Sequence, residues 1–412
     1  MVYLLNPSGY RGRGMVSRKG DPEQARKLNT CLILDRVRRD ESISRADLAR
    51  ALSISKMTAS AIVGDLLERG LLVEHPAPPG ISGSGGRPPV LLSLDTRKNL
   101  VVGIDVGTTS TALVLGNLKG EAVRRMRVPT RRNRGVESIA DQIEELLLSL
   151  LEASDAPRER IVGIGISVAG LVDKRTGYVK FSPDFNWRNV YFKQVLEERL
   201  GLPVVINNCT RVAALGEMWY GAAREANTFF FVNVGYGIGS AIVINRRLYE
   251  HNSEFGHINV TNREVKCDCG KFGCLEAVSS GHAIERDANS EVLPQAEDSD
   301  WITAKGLAER ALEGDIRGKQ IFEDAGRYLG RGIATVANLL SPELVILGGG
   351  VSNAGNLLME PLMREFSRHT MEAIKDGISV EVASLGIDAG VIGAVALALD
   401  TFVFEQDTIH GM

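Results

Sequence analysis

Apolar residues recur at helical spacing in three short segments near the start of the chain, which predicts three helices between Asp21 and Glu74. Ser44 followed by Asp47 is typical of a capping box at the start of the second helix, and Ser55 is a predicted cap for the third. The predicted buried positions are Leu28, Cys31 and Leu32 in the first helix, Leu48 and Leu52 in the second, and Ile62 and Leu66 in the third. Two helices joined by a tight turn, here the second and third, predict a helix-turn-helix unit.

The first turns of the third helix hold small or cationic side chains, namely Ser55, Lys56, Thr58 and Ser60. Such residues suit the major groove of DNA and would be costly in a packed core. A small helical subdomain is the alternative, since similar helix pairs also occur in protein cores. We predict that these four residues contact double-stranded DNA.

A strand, a loop rich in Gly, Pro and Ser, and a returning strand follow as LLVEHPAPPG, ISGSGGRPP and VLLSL, a pattern that predicts a wing. Arg87 lies in the tip, where it would enter a minor groove or bind phosphates, with an exposed linker arginine as the alternative. Residues 21–95 are therefore predicted to form a winged helix-turn-helix domain. Residues 1–20 have four basic residues and no periodicity, which predicts a flexible basic arm; it either touches DNA phosphates or reflects the choice of start site.

From Val101 onward, apolar strand-like runs alternate with longer helical segments, a pattern that predicts an α/β architecture of two lobes in residues 96–412. The predicted strands are VVGID, TALVL, AVRRMRV, 162–168, 204–206, 229–234, 240–244, 343–350 and 379–384, and the predicted helices are 136–152, 305–313, 318–340 and 355–375.

Length and composition exclude several classes of protein. The 412 residues argue for two or three domains, and 44% hydrophobic with 24% charged residues excludes global disorder and a fibrous chain. No window of about 18 uninterrupted apolar residues and no apolar signal core occur, so we expect a cytoplasmic protein that does not contact membranes. Residues 1–94 carry 14 Lys and Arg against 9 Asp and Glu, whereas the remainder is acidic, as expected for a polyanion-binding module on an acidic body.

Glycine loops at strand ends suggest a nucleotide-binding cleft, because backbone N–H groups and hydroxyls there can hold phosphate oxygens and the water shell of magnesium. Simple tight turns are the alternative for any one loop. The candidate nucleotide-binding residues are Asp105, Gly107, Thr108, Thr109, Gly235, Gly237 and Gly349.

The strongest chemical signal is His257 followed by Cys267, Cys269 and Cys274. Three thiolates and one imidazole make a closed tetrahedral zinc site, and a site without an open position is structural. Free buried cysteines are the alternative. The sequence therefore predicts a structural zinc ion held in the loop 257–276.

Six segments together carry a family resemblance: DVGTT at 105–109, SVAGLVD at 167–173, AALGEMWYGA at 213–222, EFGH at 254–257, CDCGKFGCLE at 267–276 and ILGGGV at 346–351. With them the chain resembles the ROK family, which joins bacterial sugar-responsive repressors and sugar kinases, over about residues 22 to 400. The resemblance implies an actin-like, ribonuclease-H-type fold of two lobes, with the sugar and any nucleotide in the cleft. The family's kinases lack an N-terminal winged helix, whereas its repressors carry one.

Departures from the family pattern argue against catalysis. The kinases have an Asn-Asp pair whose Asp is the general base, and here the pair is Asn208-Cys209. A thiol is a poor substitute for that carboxylate, so we expect little or no phosphoryl transfer. Thr108 and Tyr236 interrupt the glycine loops and count against binding of ATP and magnesium. Asp184 replaces a frequent Asn, and the hairpin between residues 248 and 257 is about four residues short, which predicts an altered sugar pocket.

The polar residues of the family's sugar site are nevertheless present in this chain: Asn208, Glu254, His257 and Glu276 match the sugar-contacting positions. A purely zinc-supporting role for Glu254 and His257 is the alternative. We therefore predict a sugar-responsive repressor that binds an inverted-repeat operator as a homodimer or tetramer, with regulation by a protein partner left open. A sugar kinase with an accessory DNA-binding domain and a ligand-independent repressor are the competing hypotheses.

Overall fold

The computed structural model describes residues 22–78, 89–131, 135–249, 251, 253–290 and 301–404. Contacts divide this part of the chain into two compact units. The first unit comprises the described residues up to Val212 together with those from Gly390 onward, and the second comprises Ala213–Ala389.

The N-terminal domain is a winged helix-turn-helix, as predicted. Its elements are α1 (Pro22–Asp40), β1 (Ile43–Ser44), α2 (Arg45–Ala51), α3 (Lys56–Glu68), β2 (Leu72–Pro76) and β3 (Val90–Leu94), with the strands in the order β1-β3-β2. Both predicted caps form. The Ser44 hydroxyl accepts the amide N–H of Asp47 at 3.1 Å, and the Ser55 hydroxyl accepts that of Thr58 at 3.0 Å. The predicted tip of the wing, with Arg87, lies outside the described residues, as does the basic arm.

The predicted buried stripe of the first helix is wrong. Leu28 is 51% exposed, and Cys31 and Leu32 are only partly buried. The buried residues are Ile33, Leu34 and Val37, which all lie in the second half of α1, a helix that packs against α3 and β3. Helical periodicity identifies a face, but the neighbouring elements decide which turns of it are covered. In α2, Leu48 is buried as predicted, whereas Leu52, the residue that caps the C-terminal end of the helix, is only partly buried.

The first unit also contains a five-stranded sheet in the order β11-β7-β4-β5-β6. The first three of these strands along the chain form an antiparallel meander, and β7 and β11 join it in parallel. A smaller three-stranded sheet and helix α5, none of them predicted, follow β7. The elements are β4 (Leu100–Val106), β5 (Ser110–Asn117), β6 (Ala122–Pro129), α4 (Gly135–Glu152), β7 (Ile161–Val168), β8 (Leu171–Asp173), β9 (Tyr178–Ser182), β10 (Trp187–Val190), α5 (Phe192–Leu200) and β11 (Val204–Asn208). The next helix, α6 (Cys209–Tyr220), begins in the first unit and ends in the second.

The second unit repeats this topology, with a five-stranded sheet in the order β14-β13-β12-β15-β16. The repeated meander with two parallel additions is the ribonuclease-H-type fold that was predicted. The predicted helix 355–375 is two helices, because the chain is extended at Thr370 and Met371. The elements are β12 (Phe229–Val234), β13 (Ile238–Ile244), β14 (Arg247–Leu248), α7 (Leu275–Ser279), α8 (Gly281–Ala288), α9 (Ala304–Leu312), α10 (Ile316–Leu340), β15 (Leu344–Gly348), α11 (Asn356–His369), α12 (Glu372–Lys375) and β16 (Ser379–Val382).

The C-terminal helix α13 (Ala389–Leu399) lies directly on the first sheet and was not predicted from the sequence. The segment Gly386–Phe404 is long and apolar enough to cross a membrane, but 61% of its apolar window is buried within the protein. Glycines in the sheet allow this packing, since a Cβ on Gly165 would lie 2.1 Å from the carbonyl oxygen of Ala394. The helix is therefore a core element of the first unit.

Candidate functional site

Helix α3 presents the predicted DNA-contacting residues to solvent. Lys56 and Ser60 are exposed, whereas the hydroxyls of Ser55 and Thr58 lie 2.8 Å apart and belong to the helix cap. The opposite face of the helix is buried in the domain, through Ala59, Ile62, Val63 and Leu66. The first turns of α3 are thus free to contact a partner through the cation and the serine hydroxyl.

Met57 lies on the same turn and was not among the residues predicted for this exposed face. Its side chain is 82% exposed, although an apolar residue in a helix is usually assigned to the core. Its exposure could have been predicted from the helical periodicity, because buried residues at 62 and 66 place position 57 on the opposite, outer face.

The four predicted metal ligands come together in the second unit. One ligand atom from each of His257, Cys267, Cys269 and Cys274 lies within 4.8 Å of every other. The sulfurs of Cys269 and Cys274 are 3.6 Å apart, and the Cys267 sulfur is 3.7 Å from Nδ1 of His257. Two thiolates on one tetrahedral zinc ion, with bonds of about 2.3 Å, lie about 3.8 Å apart. The spacing therefore fits a single tetrahedral metal ion.

Glycines shape the loop around this cluster. Gly270 and Gly273 have φ values of +87° and +72°, in the left-handed region that favours glycine. A Cβ on Gly273 would lie 2.4 Å from the carbonyl oxygen of Thr261. The tight turns between the cysteines are possible because side chains are absent at these two positions.

Glu276 joins the cluster's loop to the glycine hairpin between β12 and β13. Its Oε2 accepts the amide N–H of Ile238 at 2.8 Å, and a Cβ on Gly237 would lie 2.5 Å from the same oxygen. Glu254 is exposed and immediately precedes the turn that carries His257. Of the predicted sugar-contacting residues in the second unit, Glu276 therefore contacts the glycine hairpin, His257 belongs to the candidate metal cluster, and Glu254 is three residues before His257 in the chain.

The glycine hairpin between β12 and β13 forms backbone hydrogen bonds with itself and with the start of α8. The amide N–H of Gly235 donates to the carbonyl oxygen of Gly237 at 2.9 Å, and those of Gly281 and His282 donate to the loop carbonyls of Gly235 and Tyr236. The first N–H groups of α8 are therefore already bonded. Gly349 has a φ of +88°, and a Cβ there would lie 2.4 Å from the carbonyl oxygen of Val234.

In the first unit, Asp105 lies at the end of β4. The Ser167 hydroxyl donates to its Oδ1 at 2.6 Å, and burial raises the pKa of Asp105 above its ordinary value. Beyond it, the N–H of Gly107 donates to the carbonyl oxygen of Ser110 at 3.1 Å, and the carbonyl oxygen of Thr109 accepts the N–H of Thr130 at 3.1 Å. The loop with Gly107, Thr108 and Thr109 thus closes a hairpin between β4 and β5.

Asn208 and Cys209 connect β11 to α6. The Asn208 side chain caps the helix by accepting the N–H of Thr210 at 2.9 Å, and its Nδ2 donates to the carbonyl oxygen of Gly170 at 2.9 Å. Much of the hydrogen-bonding capacity of Asn208 is therefore used to hold the local backbone.

The Cys209 thiol is held in its neutral form. Burial, and secondarily the nearby carboxylate of Asp105, raises the pKa of Cys209 to about 12. Asp184, which is exposed, contributes in the same direction. At this pKa almost every Cys209 side chain already carries its proton at neutral pH, so very few are available to accept one.

Comparison with known proteins identifies the class. Residues 101–401 match the ROK family, and residues 29–73 match the winged helix-turn-helix DNA-binding family. The chain belongs to the ROK family. A solved ROK family transcriptional regulator, described as a homolog of the E. coli MLC protein, has the same fold, with a TM-score of 0.80 at 22% identity over 94% of this chain and 100% of that one.

Individual relatives fall into two groups. A putative xylose repressor from Caldicellulosiruptor sp. is 30% identical over 402 residues, covering 95% of this chain and 100% of the relative. A glucokinase from Halalkalibacterium halodurans is 34% identical over 305 residues, 71% of this chain and 92% of the enzyme. A Streptomyces griseus ROK family glucokinase, solved with glucose and AMPPNP, is 32% identical with a TM-score of 0.64, over 74% of this chain and all of that one. The chain is thus similar to the repressor over 95% of its length and to these two kinases over 71% and 74% of it.

Proposed function

We propose that this protein is a sugar-responsive, DNA-binding transcriptional repressor of carbohydrate-utilisation genes that acts in the cytoplasm. The observation that carries the proposal is the exposure of Lys56 and Ser60 in the first two turns of α3, in a winged helix-turn-helix domain joined to a ROK domain. The full-length similarity to a putative xylose repressor supports it.

DNA contacts are assigned to the recognition helix and the wing. Lys56 would bind phosphate or a base edge, Ser60 a base or phosphate, and the capped N-terminus with Ser55 and Thr58 would face the DNA backbone. Arg87 is proposed for the wing. Because one small helix reads few bases, we propose a homodimer on an inverted-repeat operator, with a tetramer as the larger alternative.

The residues proposed to bind the sugar effector are Asn208, Glu254, His257 and Glu276. Carboxylates suit this role because each accepts two hydroxyl hydrogen bonds. Asn208 retains one amide N–H beyond those it uses locally. Sugar binding would shift the equilibrium between two conformations of the protein that differ in their affinity for the operator. The size of the shift is limited by the difference between the sugar's affinities for the two conformations.

The cluster of His257, Cys267, Cys269 and Cys274 is proposed to hold structural zinc. Four protein ligands fill a tetrahedral ion, so no coordination position remains for water or substrate. The ion would fix the loop that carries Glu254 and the start of the helix that carries Glu276.

The second candidate function is a sugar kinase, which the similarity to glucokinases and the retained Asp105 favour. We propose that the protein lacks this activity, because the neutral thiol of Cys209 stands where the family's kinases have their general base. Binding of ATP is also disfavoured, because the glycine hairpin is hydrogen-bonded within the protein and because Thr108 and Tyr236 interrupt the glycine loops.

A mobility-shift experiment tests the proposal. The purified protein is mixed with DNA from upstream of its own gene and of neighbouring sugar operons, with and without a panel of sugars and sugar phosphates. We expect specific binding that one sugar releases. Lys56→Glu should abolish binding, whereas the matched variant Lys305→Glu, at an exposed lysine of α9, should not. Absence of specific binding to every fragment would refute the proposed function, and binding unaffected by every sugar would refute its sugar response.

A further inference from the structure

The outer face of α3 combines one large apolar side chain with very small ones. The buried positions 59, 62, 63 and 66 leave Met57, Ser60, Ala61 and Gly64 on the opposite side. Met57 is 82% exposed, which is high even among the large apolar residues that the structure describes as exposed. Single exposed apolar residues are common on protein surfaces, so this exposure alone does not indicate a contact.

Gly64 is a second, independent observation on the same face. It lies in the interior of α3, where glycine weakens a helix relative to alanine. A Cβ built at this position meets no described atom within 4 Å, so packing within the described protein does not require glycine here. A glycine that packing within the protein does not require is typical of a surface where another molecule approaches the backbone closely.

We propose that Met57 reads thymine bases in the operator by contacting their 5-methyl groups in the major groove, with Ala61 on the next turn and Gly64 allowing the close approach. Of the four bases, only thymine presents a methyl group in this groove, and apolar side chains recognise it. The unbranched thioether of methionine adapts its shape to such a contact. This inference rests on the proposed DNA-binding function and names part of its specificity.

The test uses a binding site selected from random duplex DNA with the full-length protein. Each thymine of the selected site is then replaced singly by deoxyuridine, which removes the methyl group and keeps the base pairing. We expect the affinity to fall about fourfold at one or two positions per half-site, the effect of one buried methyl group. Met57→Ala should bind the thymine site more weakly and should lose its sensitivity to uracil at those positions.

Two further variants separate recognition from folding. Met371→Ala changes a methionine that is 61% exposed in the second unit, and it should retain the full sensitivity to uracil. Gly64→Ala should leave the thermal stability unchanged or raised while weakening DNA binding, because the new methyl group faces the DNA. A selected site at which uracil affects wild type and Met57→Ala equally would overturn this inference while leaving the DNA-binding function intact. If no specific site is selected, the proposed function and this inference both fail.

Discussion

The protonation of Cys209 gives a quantitative test of catalytic inactivity. With a pKa of about 12, roughly 1 in 100,000 Cys209 thiols is ionised at pH 7, against about 3 in 100 for a thiol of pKa near 8.5. The thiolate of the less acidic thiol is intrinsically more nucleophilic, so each ionised Cys209 should react about 30-fold faster than an ordinary thiolate. Cys209 in the folded protein should therefore react with iodoacetamide about 100-fold more slowly than in the unfolded chain.

The assay follows alkylation of the peptide containing Cys209 by mass spectrometry between pH 7 and 10.5, in buffer and in denaturant. The folded rate should rise tenfold per pH unit without levelling, because the thiol stays below its pKa, whereas the unfolded rate should level off above about pH 9. In parallel, magnesium-ATP with hexoses and pentoses should give no turnover above a mock preparation. A folded rate that levels near pH 9, or turnover that Cys209→Ala removes, would refute the reasoning.

Three further predictions follow from the same structure. Cys269→Ser should lower the zinc content well below one ion per chain by elemental analysis and disorder the loop around His257, and full zinc retention would contradict the ligand assignment. Gly165→Ala should destabilise the first unit by about 1–3 kcal/mol in thermal denaturation, since its Cβ meets helix backbone, whereas Gly116→Ala should cost less because its Cβ meets a valine side chain; equal effects would contradict this. Glu276→Gln should reduce the sugar-induced rise in melting temperature while zinc is retained, and an unchanged sugar response would remove Glu276 from the sugar site.

Short-range patterns in the sequence were sufficient to predict the winged helix-turn-helix and the grouping of the candidate metal ligands. Caps such as Ser44 and Ser55 act within three residues, so their bonds form as the pattern predicts. A short loop holds Cys267, Cys269 and Cys274 close together, which is why their spacing alone indicated that they could share a metal ion.

Tertiary structure decided the features that depend on distant neighbours. Leu28 has the periodicity of a buried residue, yet it is exposed because no described element covers the first turns of α1. The C-terminal helix is apolar on most of its surface, so it shows little periodicity, and the glycines that receive it are more than 200 residues earlier in the chain.

The candidate functional residues also divide into features that the sequence determined and features that the tertiary structure decided. The sequence by itself determined which residue types are available, including a thiol in place of the kinase carboxylate. Only the fold decided that Asp105 lies close enough to Cys209 to help raise its pKa, and that Asn208 and Glu276 also hold local backbone. Ionisation and hydrogen bonding depend on burial and on groups brought together from separate strands, which a linear pattern of residues does not specify.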